Sequence, residues 1–266
     1  MIASKLSSSK RCYSLAYSYL CSMNNYNETN LHDRDSRIQF EEESHTYTVN
    51  GQAFQSVTTL IGGCFEQFDA DYWAAKKAPG MGMTPEELKA LWERKGEEAR
   101  DLGTMMHAKI ERYYLGLPNE SDATYRLFEQ FVEHYHLTPY RTEWTIYDEE
   151  SRIAGTLDFL NYRDGVFTIF DWKRSNKILV CGAPETTNRW GKYAFAPIAH
   201  VPDTTYWHYA LQLSVYRYIL EKNYGIHVSG GKLGVFHPDN GRPYVVDVPY
   251  LRNEAIALLN SRRLHS

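Results

Sequence analysis

The chain has 266 residues, 43% hydrophobic and 23% charged, which excludes a disordered or fibrous polymer and fits one large globular domain. Its 29 Lys and Arg against 33 Asp and Glu leave a net charge of -4, which excludes a binder that coats phosphates with bulk positive charge. That balance leaves open an enzyme that meets phosphates through metal ions held by its own carboxylates.

No window approaches the roughly 18 uninterrupted apolar residues of a membrane span. The cysteines Cys12, Cys21, Cys64 and Cys181 form no CxxC pair and no zinc-ligand spacing, so a reduced, intracellular, cytoplasmic protein is expected. Residues 1–27 lack Asp and Glu but carry Lys5, Lys10 and Arg11. They read as a disordered leader extending to about residue 35, as an over-long start with Met23 as the initiator, or as a mitochondrial transit peptide. Residues 36–266 are expected to form a single domain.

In chain order, Ile38–Phe40 and Tyr47–Val49 read as strands, with Asn50-Gly51 a hairpin turn. Ser56 is an N-cap for a short helix, and residues 71–78 form another, stopped by Pro79-Gly80. Thr84-Pro85-Glu86-Glu87 combines a cap, a proline at the first helical position and an acidic first turn. The helix it opens runs to Leu115-Gly116, with a break expected at Gly96 or Gly103, and residues 121–136 form a further helix. Residues 141–147, Ile153–Tyr162 and Val166–Lys173 then read as strands, the last two joined through Asp164-Gly165. A helix over 204–223, strands over 232–237 and 243–248 and a helix from Tyr250 complete the series. Gly182 to Pro202 is a long irregular stretch.

The hairpin carries the chemistry. If Asp164-Gly165 is a two-residue turn, Arg163 lies opposite Val166 and Asp158 directly opposite Asp171. Side chains so opposed sit about 4.5–5.5 Å apart, and like charges there are destabilising without a cation. A hard divalent metal supplies one. Asp171 and Lys173, two apart on one strand, project to the same face. The bland alternative is a pair of exposed carboxylates salt-bridged to Lys173.

Gly155-Thr156-Leu157-Asp158, Asp171-Trp172-Lys173, and Gln212 with Tyr216 resemble the motifs of the PD-(D/E)xK nuclease superfamily. The likeness is to the subgroup of recombination helicase–nuclease domains, CRISPR-associated adaptation nucleases and the mitochondrial genome maintenance exonuclease. It extends to Gly103-Thr104-Met105-Met106-His107 with Glu111, and to Ser56-Val57-Thr58-Thr59, in the same order from about Ile38 to Tyr224.

The resemblance implies an α/β, restriction-endonuclease-like core: a mixed central β-sheet flanked by helices, with an N-terminal helical insertion. It implies a Mg²⁺- or Mn²⁺-dependent deoxyribonuclease, an exonuclease acting on DNA ends or single strands in replication, repair or recombination. Asp158, Asp171 and Lys173 are then catalytic, and His107, Asp158, Asp171 and the Trp172 carbonyl ligate metal. The Trp172 ring itself belongs in the core, since it points to the opposite strand face. An imidazole among oxygen ligands favours Mn²⁺. Glu111, one turn from His107, is a ligand, a supporting residue or a plain surface acid. Gln212 and Tyr216 would support the lysine and contact the DNA backbone; alternatively Tyr216 is core. Glu143 matches an acidic position of some relatives, and Ser175 and Lys177 would touch phosphate or merely line an exposed loop.

Some relatives hold an iron–sulfur cluster through late cysteines; nothing after Cys181 is cysteine, so no iron–sulfur cluster is expected. No GxxxxGK[ST] occurs, so no ATP is expected, and any unwinding would come from a helicase or recombination partner. Competing expectations are a structure-specific or nicking endonuclease, a catalytically silent DNA-binding subunit, and a non-enzymatic globule carrying a surface ion network.

Overall fold

A computed structural model describes residues 26–42 and 44–263; residues 1–25, which hold most of the expected leader and Met23, lie outside the described residues. Among the described residues the first element is α1 (Tyr26–Thr29), which lies within the stretch expected as leader. The reason is an uncovered strand edge further along the chain. Asn27 Oδ1 accepts the amide of Thr142 at 2.9 Å, and Asn30 Nδ2 donates to the Tyr140 carbonyl at 3.1 Å. Asp35 pairs with Arg141 at 2.6 Å and accepts the Trp144 indole N–H at 2.8 Å. These polar contacts cover main-chain groups that would otherwise invite edge-to-edge pairing.

β1 (Ile38–Glu41), β2 (Thr46–Val49) and β3 (Gln52–Ser56) form an antiparallel meander. The Asn50-Gly51 turn is as expected, with φ of 49° and 78°, but it leads into β3, a strand the short polar segment did not announce. Ser56 then caps α2 (Val57–Gly62), accepting the Thr59 amide at 3.0 Å. α3 (Ala70–Lys77) follows, capped by Asp69. α4 (Pro85–Tyr114) opens with a complete capping box between Thr84 and Glu87.

The expected break in α4 is absent: the helix runs unbroken for 30 residues through Gly96 and Gly103. Two interior glycines cost about 1 kcal/mol each relative to Ala. The capping box at one end, and burial of Met106, Ile110 and Tyr114 at the other, outweigh that cost. α5 (Ala123–His134) packs next to it.

β4 (Pro139–Asp148), β5 (Ile153–Arg163) and β6 (Val166–Lys173) form the centre of the sheet. A small hairpin, β7 (Leu179–Val180) and β8 (Ala183–Pro184), opens the otherwise irregular stretch up to α6 (Thr205–Asn223). β9 (Val228–Val235) starts earlier than its apolar run suggests, through Gly230 and Gly231, and is followed by β10 (Tyr244–Val248) and α7 (Arg252–Arg263).

Eight strands join in the order β1-β2-β3-β5-β6-β9-β10, with β4 on β5. β3–β5 and β6–β9 are parallel and the other pairs antiparallel, so the mixed α/β architecture is the expected one. β5 uses one edge for β4 and shares the other between β3, at Ile153 and Ala154, and β6, from Phe159 onward. Between them the sheet forks. α6 packs on one face over Leu157, Leu160 and Ile169, while α4 and α5 cover Phe159, Phe170 and Trp172 on the other. Among the described residues no helix is long and apolar enough to cross a membrane.

Candidate functional site

The turn at Asp164-Gly165 has φ of 54° and 80°, the two left-handed residues of a tight hairpin, and Arg163 pairs with Val166 as expected. The ladder runs inward to Phe159–Phe170. One step further lie Asp158 and Asp171, where the main-chain ladder gives way to side chains. Asp158 Oδ2 accepts the amide of Trp172 at 2.7 Å, a hydrogen bond that a main-chain carbonyl of β5 would otherwise take. The N–H and C=O of a strand residue face the same edge, so the Trp172 carbonyl is turned toward this fork as well. The Trp172 ring points away into an aromatic core with Phe128, Phe131, Phe159 and Phe236 and is 1% exposed. Gly234 makes room for it, because a Cβ there would lie 2.7 Å from Trp172 Cε3.

On the other edge of β5, Glu143 falls between the pairs Thr142–Phe159 and Trp144–Leu157, opposite Asp158. Three carboxylates therefore stand in a row across β4, β5 and β6. Glu143 has φ of 44°, a left-handed conformation that costs a non-glycine residue of order 1 kcal/mol in a strand. Its consequence is visible in the cores. Leu157 packs on the α6 face and Phe159 on the α4 face, although residues two apart normally share a face. The alternation slips at Glu143 and Asp158, and this lets a residue of α4 meet groups that α6 supports.

That residue is His107. Its Nδ1 lies 3.7 Å from both Glu143 Oε1 and Asp158 Oδ2, beyond hydrogen-bond length. One donor atom from each of the three lies within 4.8 Å of the others, so they can converge on a single ion. Burial alone would lower the His107 pKa, but Asp158 and Glu143 more than reverse this and push it up to about 9. An imidazolium and two carboxylates thus share one cluster.

Asp171 is 1% exposed. Burial raises its carboxyl to about 6, with Lys173 opposing the rise and Asp158 adding to it. Lys173 Nζ sits 2.6 Å from Asp171 Oδ2 as a buried ion pair. Burial would lower the Lys173 pKa, but Asp171 and Asp158 outweigh it and hold the ammonium charged well above its usual range. Burial also raises Asp158.

Gln212 and Tyr216 sit together behind Asp171. Gln212 Nε2 donates to Asp171 Oδ1 at 3.2 Å and to the Tyr216 hydroxyl at 3.3 Å, so the helix holds the aspartate, not the lysine. Both are buried, at 7% and 3%, and Tyr216 belongs to the core, one of the two positions expected for it. Gly155 is what admits Tyr216: a Cβ there would lie 2.6 Å from Tyr216 Cε1. The lysine is instead covered by Tyr209, whose ring centroid is 4.7 Å from Nζ. Tyr209 was legible only as a residue three before Gln212 on the same helix face. Tyr47 was missed too; its hydroxyl hydrogen-bonds Thr156 at 3.0 Å, two residues before Asp158.

Glu111 stands apart from the converging trio, half-buried, with burial raising its carboxyl. Its charge is felt instead by the Tyr26 phenol. Ser175 Oγ accepts the Lys177 amide at 3.1 Å, shaping the loop after β6, and Lys177 itself lines a cavity beside the N-terminus of α6.

No protein-family model and no curated protein matches the chain. Solved structures with a distant likeness include the following two. A protein called SSO0001 overlays at a TM-score of 0.35 and 14% identity, over 95% of this chain and 87% of its own. A presumed exonuclease from Eubacterium rectale overlays at 0.35 and 11% identity, over 79% and 77%. Neither overlap is close enough to transfer a role to any residue here.

Proposed function

We propose that this protein is a metal-dependent nuclease that hydrolyses DNA phosphodiester bonds, acting on ends or single strands. The observation that carries the reading is the convergence of His107, Glu143 and Asp158 beside the buried Asp171–Lys173 pair. The donor set fits a divalent ion: hard carboxylate oxygens with one imidazole. His107, Glu143 and Asp158 would hold the ion, with Asp171 Oδ2 and the Trp172 carbonyl facing the same fork. Such an ion, Mg²⁺ or Mn²⁺, lowers the pKa of bound water and neutralises charge developing on a phosphate.

The residues supply the rest. Lys173 is held charged, so it donates a hydrogen bond to the attacking water and to the phosphorane oxygen and does not serve as a base. Asp171, fixed by Gln212, orients Lys173. Asp158, fixed by the Trp172 amide, cannot swing away from the fork. The PD-(D/E)xK resemblance of Asp158 and Asp171-Trp172-Lys173 supports the same assignment.

The test is digestion of end-labelled single- and double-stranded DNA, and of a closed circle, with Mg²⁺, Mn²⁺ or EDTA. Metal-dependent loss of the labelled linear strands, abolished in Lys173→Ala and Asp171→Ala, is the expected result. Absence of cleavage with every metal refutes the enzyme, and cleavage of the closed circle refutes action from ends.

A further inference from the structure

Residues 185–204, between β8 and α6, are irregular yet firmly held. Asn188 side-chain N–H reaches the Asp203 carbonyl, Ala194 bonds Val201 at 2.9 Å, and Phe195 N–H meets the Cys64 carbonyl at 2.7 Å. Ala194, Ile198 and Val201 are buried and anchor the segment to the core. Its larger aromatics are not used that way. Trp190 is 73% exposed, and Tyr193 and Phe195 are exposed as well. A loop already anchored by small and aliphatic side chains has no structural need to hold three aromatic rings in water.

Beside Trp190 lies a cavity of about 340 Å³, at the small end of the roughly 300–1,000 Å³ typical of ligand sites. Lys177, Asn188, Arg189, Trp190, Thr205 and His208 line it. Neither Lys177 nor Arg189 has an ion-pair partner among the described residues. Arg189 lies 5.0 Å from the Trp190 ring, backing one face of the indole with positive charge. The wall also holds two acids, Glu185 and Asp203, the second hydrogen-bonded to the His208 imidazole at 2.9 Å. The amide end of the 19-residue α6 adds partial positive charge at Thr205.

The cavity adjoins the proposed catalytic cluster through that helix. Thr205 and His208 line it; Tyr209 covers Lys173; Gln212, one turn beyond His208 and about 6 Å along the axis, holds Asp171. We infer that this cavity is a single-strand subsite, in which an unpaired base stacks on Trp190 and its flanking phosphates meet Lys177 and Arg189. Stacking on an exposed ring selects unpaired bases, because a duplex buries its base faces against one another. The inference rests on the nuclease reading for its substrate, but its test separates the two.

The full chain in EDTA is titrated, at several stated salt concentrations, into a labelled single-stranded oligothymidylate and a blunt duplex, with Kd read by fluorescence anisotropy. Trp190→Ala is expected to weaken single-strand binding between about fivefold and 100-fold while duplex binding changes little. Trp190→Phe should restore most of the affinity, and Lys177→Ala or Arg189→Ala should flatten the salt dependence. Thermal stability should be unchanged in Trp190→Ala, and the parent chain should hydrolyse the base-free ester bis(p-nitrophenyl) phosphate with Mn²⁺. Equal losses on single strand and duplex, or no loss on either, overturn the subsite while leaving the nuclease standing. Tight single-strand binding lost in Trp190→Ala, with no hydrolysis of any ester, establishes the subsite and removes the nuclease.

Discussion

Asp158 and Trp172 are joined by a side-chain-to-backbone hydrogen bond of 2.7 Å in which a carboxylate replaces a strand carbonyl as acceptor. The bond does two things together. It ends the β5–β6 ladder so that the sheet can fork, and it fixes the carboxylate that faces His107. Asp158→Asn keeps an acceptor for Trp172 but removes the charge. It should therefore fold with a melting temperature near that of the parent while losing activity by at least about 100-fold, with weaker Mn²⁺ binding. Asp158→Ala should lose both. Activity retained in the asparagine variant would show that Asp158 only closes the sheet.

Metal uptake should displace protons. At neutral pH the apo imidazole of His107, at about 9, is charged, and a ligand must be neutral. Between pH 7 and 9 the apparent Mn²⁺ affinity is expected to rise about tenfold per unit, one proton leaving per ion bound. Below about 6 the protonation of Asp171 should steepen the slope. Calorimetry in buffers of different ionisation enthalpy measures the proton count directly, and His107→Ala should reduce it. An affinity independent of pH would contradict this ligand set.

Gly155→Ala should separate packing from charge. The new methyl would stand 2.6 Å from Tyr216 Cε1 and 3.0 Å from its hydroxyl, so the ring must move and take Gln212 with it. A stability loss of about 1–3 kcal/mol is expected in urea unfolding. Activity measured well below the melting temperature should also fall, because Asp171 loses its Gln212 contact. Tyr216→Phe, which removes only the hydroxyl, should cost about 1 kcal/mol and little activity. Equal behaviour of the two variants would mean that Tyr216 acts by its hydrogen bond and not by its position.

Acid stability should depend on Asp148, far from the catalytic row. Burial would raise its carboxyl, but Lys222 at 2.7 Å, Asn223 at 2.9 Å and Ser151 hold it down at about 2. A folded pKa below the unfolded value of 3.8 means stability that is present above pH 4 and lost as pH falls through 2. The contribution is on the order of 2 kcal/mol. Urea titrations between pH 2.5 and 7 should show this acid limb in the parent and a flatter one in Asp148→Asn, which starts from lower stability. An identical limb in both would assign acid sensitivity to other carboxylates.

Much of this architecture is local, and local chemistry is readable. The Asp164-Gly165 turn sets the register of β5 against β6 with two left-handed residues, so the opposition of Asp158 and Asp171 follows from the order of residues alone. Ser56 and Thr84 cap their helices through contacts three residues away. What sequence could not show depends on partners tens of residues away or more, or on competition between distant terms. Residues 26–35 are held by the bare edge of β4, and α4 passes through Gly96 and Gly103 because its two ends are secured. The left-handed turn at Glu143 and the slip in alternation at Asp158 admit His107 from the opposite layer, where simple alternation would have kept it out. Gln212 reaches Asp171 and Tyr209 covers Lys173 because α6 lies across the fork at one particular height. Amino-acid order determined which groups carry the charge and which strands present them. Only tertiary packing decided which of them touch, since that is set by how two faces of a forked sheet are filled.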